Sequence, residues 1–103
     1  MKPLNLNKLK IFHAAALVGK LSKAAEILHI SQSAVSMHIK QIEECYGGAV
    51  FERTATGVEL TELGRIIFKY TEQIVHLEEN MIDAIDQFSH TGSGNLSIGA
   101  SST

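Results

Sequence analysis

Gln32, Ser33, Ser36, Met37 and Lys40 lie along one side of a stretch whose other side, Val35, Ile39, Ile42 and Tyr46, is apolar at helical spacing. Together they offer hydrogen bonds, apolar contact and a positive charge, with no nucleophile beside a base. That chemistry suits base edges and phosphates in a major groove, which a helix with short polar side chains can enter. Gln32 and Ser36 coincide on the face opposite the apolar stripe, which favours contact over plain solvation. Met37 fits a thymine methyl group or packing against a preceding helix, and the residues alone leave both open. Bond-making chemistry has little support. There is no glycine-rich phosphate loop or nucleophile elbow, and the pairs Glu43-Glu44 and Glu78-Glu79 are adjacent, fan apart on helices and read as solvated faces. The histidines at 13, 29, 38, 76 and 90 show no ligand spacing, so no metal is expected.

The elements that must position this face follow from caps and periodicity. Ser31 reads as the cap of its helix, a role compatible with touching DNA, and Ser22 as the cap of a preceding one, about 22 to 29, with a turn at His29-Ile30. Ala24, Ala25 and Leu28 give that shorter helix a small apolar side for a close crossing. A first helix is expected from a cap at Asn5 or Asn7, through Leu6, Leu9, Phe12, Ala16 and Leu17, to a break at Gly19. The helix after Ser31 should run to Tyr46 and close at Gly47-Gly48. Val50-Phe51 and Val58 with Leu60 then flank the turn-rich Thr54–Gly57 and predict a two-stranded wing, with Arg53 at the base of its tip.

Thr61 opens a proline-free run to about Phe88, interrupted only by Gly64, whose missing side chain permits close packing. Leu63, Ile67, Tyr70, Ile74, Leu77, Met81, Ala84 and Phe88 are spaced alternately four and three apart, the seam of a left-handed coiled coil. At ~1.5 Å per residue the helix would be roughly 40 Å long, too long to bury its seam on a small domain, so the same helix of a second chain is the simplest partner. The rival reading is that the seam covers the chain's own core. Ile66, Val75, Ile82 and Ile85 lie off the seam and imply a second apolar contact. The expected fold is therefore mainly α: a winged helix-turn-helix over 1–60 (helix-turn-helix about 21–40), a dimerisation helix over 61–88, and a Gly/Ser/Thr-rich hinge with a strand stub over 89–103.

Length and charge set bounds. A chain of 103 residues, 45% apolar, suffices for one core. Its net charge of −2 argues against a polyanion partner, but the average hides an asymmetry. Residues 1–60 hold seven Lys/Arg against five acids, net +2, while residues 61–103 hold two against six, net −4. The cations gather where the helix-turn-helix lies, and a net of only +2 predicts weak binding by one copy. Cys45 is the only cysteine and reads as a half-buried small apolar group; without a secretory or membrane-spanning stretch, a cytoplasmic location is expected.

LSKAAEILHISQSAVSMHIKQIEE in the helix-turn-helix, VFER and VELTELG around the wing, and NLSIGAS near the end resemble, in order and residues, the N-terminal part of LysR-type transcriptional regulators. The resemblance covers almost the whole chain. It implies a winged helix-turn-helix, a linker helix pairing two chains, and a larger effector domain of periplasmic-binding-protein type, of which NLSIGAS would be the first strand. The chain would then be a DNA-binding fragment without a cofactor of its own, and the full-length protein, a dimer or tetramer, would bind a small-molecule effector. The resemblance also implies that Gln32, Ser33, Ser36 and Met37 face bases or phosphates, with Lys40 one turn on. Ser22 and Lys23 match positions near the phosphate backbone, and Arg53 a wing-base arginine that meets phosphate. Arg53 could instead pair with Glu52 or Glu59, but surface pairs contribute only ~0–1 kcal/mol and compete poorly with a polyanion. Departures bear on base preference: Ser33 stands where the family commonly has Pro, Met37 where an Arg often follows the Ser, and the wing TATG lacks a second basic residue. Two other functions fit the same elements. One is a helical protein-interaction module built on the long helix; the other is a winged-helix regulator of another family, such as the molybdate-responsive type.

Overall fold

The computed structural model describes residues 5–91, which divide by contacts into two units, one ending at Glu72 and one beginning at Gln73. The first helix, α1 (Leu6–Val18), starts where Asn5 Oδ1 accepts the Lys8 N–H at 3.0 Å. It ends at Gly19, whose φ of 75° lets its N–H turn back to the Ala15 carbonyl. The second helix, α2, spans Leu21–Leu28 and α3 spans Gln32–Tyr46. Between them His29 adopts φ 60°, and Ile30 N–H reaches the Ala25 carbonyl at 3.1 Å, so the turn closes in a left-handed cap without a glycine.

One expected cap is corrected. The N-cap of α2 is Lys20, with no side-chain cap bond, and Ser22 lies inside the helix as an exposed second residue. The helix starts early because the backbone before it is held from elsewhere: the Gly19 carbonyl accepts the Val58 N–H at 2.8 Å. Ser31 does cap α3, its Oγ accepting the Ala34 N–H at 3.1 Å.

Phe12, Ala15, Ala24, Val35, Ile42 and Val50 are fully buried where α1, α2 and α3 meet. The alanines leave room for the close crossing, and the Phe12 ring fills the centre, 5.5 Å from Phe51 and 6.5 Å from Phe68. Burying one such ring contributes about 1.5–3 kcal/mol. Strands β1 (Phe51–Arg53) and β2 (Val58–Leu60) pair antiparallel, Phe51 opposite Leu60, Glu52 opposite Glu59 and Arg53 opposite Val58. Side chains alternate across a strand, so Phe51, Arg53, Val58 and Leu60 share one face and the two glutamates the other. Since Phe51 and Leu60 pack on the core, Arg53 ends the core-facing row.

The fourth helix, α4, runs Glu62–Thr91, three residues past Phe88. Thr61 caps it, its Oγ accepting the Gly64 N–H at 3.0 Å and donating to the Ala49 carbonyl at 2.6 Å. Gly64 is buried against the Val50 carbonyl with no room for a β-carbon. Within the first unit Leu63, Ile67 and Phe68 pack on the core, and the His13 ring of α1 stacks on Phe68, with Nε2 3.9 Å from a Glu72 carboxylate oxygen. In the second unit α4 is solvent-facing, with His76–Glu79 and His90–Asp86 ion-pair geometries one turn apart. NLSIGAS and the rest of 92–103 lie outside the described residues.

Candidate nucleic-acid interface

Gln32, Ser33, Ser36, Met37 and Lys40 are all exposed on α3 while Val35, Ile39 and Ile42 of the same helix are buried. The amphipathic pattern thus turns the polar side outward. Met37 remains 50% exposed, available to an apolar contact. Ser31 spends its hydroxyl on the Ala34 N–H and lies 3.1 Å from the Ser33 hydroxyl, so the two form a small polar cluster at the start of α3.

The wing folds its arginine towards this face. Arg53 lines one groove with Ser36, Lys40 and Glu43 and a second with Lys20, Ser22, Gln32 and Thr56. Among the described residues Arg53 has no ion pair with Glu52 or Glu59; both glutamates project from the other face of the ribbon. The tip is shaped by Thr54, whose Oγ1 accepts the N–H groups of Thr56 (3.3 Å) and Gly57 (3.0 Å), and whose own N–H donates to the Gly57 carbonyl at 2.9 Å. Lys23 is exposed on α2, 3.9 Å from Glu26 Oε1, a pairing weak enough for phosphate to displace.

Two residues gain roles the residue pattern did not give them. Glu43 is partly buried, not solvated, because its Oε2 accepts the Val50 N–H at 2.9 Å and straps α3 to the approach of β1; Glu44 is exposed. Lys20 joins the second groove beside Arg53. A glycine on either side of that junction, Gly19 and Gly57, is the sequence signal that two backbones approach there. At the end of α3, burial and then the neighbouring Cys45 push the Tyr46 phenol above its ordinary value.

The seam residues divide. Leu63 and Ile67 are partly buried on the chain's own core, whereas Tyr70, Ile74, Leu77, Met81, Ala84 and Phe88 are exposed, Leu77 at 67%. Off the seam, Ile66, Ile82 and Ile85 are also exposed and Val75 is half-buried. Among the described residues no cluster of three or more His, Cys, Asp or Glu could hold a metal, and no helix is long and apolar enough to cross a membrane.

The family model described as "Bacterial regulatory helix-turn-helix protein, lysR family" matches residues 6–65, from the first residue of α1 through the wing into α4. The chain belongs to the LysR family. Similar proteins include a probable RuBisCO transcriptional regulator of Cyanidioschyzon merolae, 40% identical over 98% of this chain and 33% of its own length. The RuBisCO operon transcriptional regulator of Allochromatium vinosum is 37% identical over 97% of this chain and 33% of its own. The chain therefore spans about a third of the length of these relatives. Among solved structures, a CbnR DBD–DNA complex superposes with a TM-score of 0.72 at 28% identity, covering 84% of this chain and 99% of that one. A BenM DBD complex with catB site 1 DNA gives 0.79 at 26% identity, covering 89% and 99%. The LysR fold here is mainly helical with one two-stranded antiparallel sheet.

Proposed function

We propose that this chain is the DNA-binding part of a LysR-type transcriptional regulator, which binds duplex DNA as a dimer and performs no catalysis of its own. The observation that carries this reading is the meeting of Arg53 with Ser36 and Lys40 in one groove and with Ser22 and Gln32 in the next. The wing and the exposed face of α3 thereby form one surface. Gln32, Ser33, Ser36 and Met37 would read base edges, Lys40, Arg53, Ser22 and Lys23 would hold phosphates, and Ser31 would fix the start of the reading helix.

Residues 1–60 form the winged helix-turn-helix of this proposal and 61–88 the pairing helix. The seam from Tyr70 to Phe88, exposed in one chain, supports pairing with a second copy, which brings two weak half-site readers to one inverted repeat. The relatives are about three times as long as this chain, which supports the residues after α4, 92–103, leading into an effector-binding domain for a small molecule in a cytoplasmic regulator of that length.

Fluorescence anisotropy with a labelled duplex across a salt series tests the DNA reading, with sedimentation alongside. Duplex binding that falls steeply with salt, by a dimer, is expected. A chain that dimerises but shows no salt-dependent binding would be an interaction module instead.

A further inference from the structure

The wing carries one cation, Arg53, and its tip from Thr54 to Gly57 has none. A second cation reaches it from another element. The Val58 N–H to Gly19 carbonyl bond of 2.8 Å ties β2 to the backbone just before α2. Gly57 sits so near that a β-carbon there would collide with the Gly19 carbonyl and lie 3.1 Å from Cγ of Lys20. The Lys20 side chain therefore leaves the backbone against the wing tip. Its ammonium has no acidic partner among the described residues, and it makes no cap bond at α2.

The composition of the two grooves beside Arg53 differs in sign. The groove shared with Lys40 also counts Glu43 and Glu52 among its lining residues, whereas the groove shared with Lys20 has no acidic residue in its lining. There Lys20 and Arg53 share the lining with Ser22, Thr56 and Gln32, residues that carry hydroxyls and a carboxamide. Such a site favours a single anionic group: the guanidinium offers a planar fork, and the ammonium is a point charge that tolerates several approach angles.

We infer that Lys20 and Arg53 clamp one backbone phosphate of duplex DNA in the groove between the wing tip and the start of α2, making Lys20 a DNA-contact residue. The inference rests on the duplex-binding reading above. Shared neutralisation of one phosphate has a distinct salt signature. Each phosphate neutralised contributes a slope of about −0.9 in log K against log salt, so removing both cations costs about 0.9 per chain if they share a phosphate, and about 1.8 if they hold two.

The test compares the 103-residue chain with Lys20→Met, Lys20→Arg, Arg53→Met and the double variant, using a fluorescein-labelled duplex of random sequence across about 50–200 mM salt. Circular dichroism checks the fold, which these exposed side chains should not alter. Lys20→Met is expected to weaken binding by about 3- to 10-fold at low salt, Lys20→Arg to restore it, and the double variant to lower the slope by about 0.9 per chain. Wild-type binding left unchanged by Lys20→Met, or a double variant whose slope falls by about 1.8, overturns the clamp while leaving duplex binding standing. A wild-type chain without salt-dependent binding removes the duplex reading itself, and the clamp with it.

Discussion

Gly57→Ala tests whether the wing must sit on the turn before α2 for the interface to exist. Gly57 has no left-handed backbone, so alanine brings no φ strain; its β-carbon instead meets the Gly19 carbonyl. Backbone on both sides cannot rotate away as a side chain would, and forced overpacking of this kind costs ~1–3 kcal/mol. Lifting the wing relieves the collision but gives up the Val58 to Gly19 hydrogen bond, ~0.5–1.5 kcal/mol, and loosens Phe51 and Leu60 on the core. Against this, alanine narrows the unfolded ensemble by ~0.4–1 kcal/mol. The net expectation is a loss of about 0.5–2.5 kcal/mol, with DNA affinity falling further because Arg53 moves with the ribbon. Urea denaturation with an unchanged slope measures the first effect, and anisotropy on a labelled duplex the second. A Gly57→Ala chain as stable as wild type and binding as tightly would refute the docked wing.

Glu43→Ala leaves the Val50 N–H without its acceptor and should cost about 1–3 kcal/mol in urea denaturation, while Glu43→Gln, which keeps an oxygen in place, should cost much less. Equal losses would mean that the charge, not the hydrogen bond, matters. His29→Gly relieves a left-handed residue with a β-carbon, a cost of ~1–2 kcal/mol, against ~0.5–1 kcal/mol of added chain entropy, so its melting temperature should rise slightly. Replacing Ile74 and Leu77 with lysine removes two exposed seam residues, each worth ~1.5–3 kcal/mol when fully buried in a dimer. Sedimentation should then show monomers with much weaker DNA binding.

Features set by neighbours in sequence were legible. Asn5, Ser31 and Thr61 cap their helices because a side-chain oxygen needs only the next turn's N–H, and the alternation of Val35, Ile39 and Ile42 with polar residues fixes which side of α3 is exposed. Features set by distant backbone were not. Ser22 has the chemistry of a cap, but the start of α2 is held by a strand distant in sequence, through the bond from Val58 to Gly19. Glu43 looked like half of a solvated acidic pair because its acceptor role needs the chain to turn at Gly47 and return Val50. The His13 stack on Phe68 joins α1 to α4, and Lys20 meets Arg53 only once the wing is docked. The seam itself is continuous in sequence. Only packing separates Leu63 and Ile67, which serve the chain's own core, from the exposed residues that follow.

Selecting bound sequences from a random DNA pool with this chain tests the central claim most directly, since it examines the reading face, the wing and the pairing helix together. Two enriched half-sites in inverted orientation, centred about one helical turn or a multiple of it apart, are the expected result. Enrichment of a single asymmetric site, or of none, would contradict a paired helix-turn-helix reader.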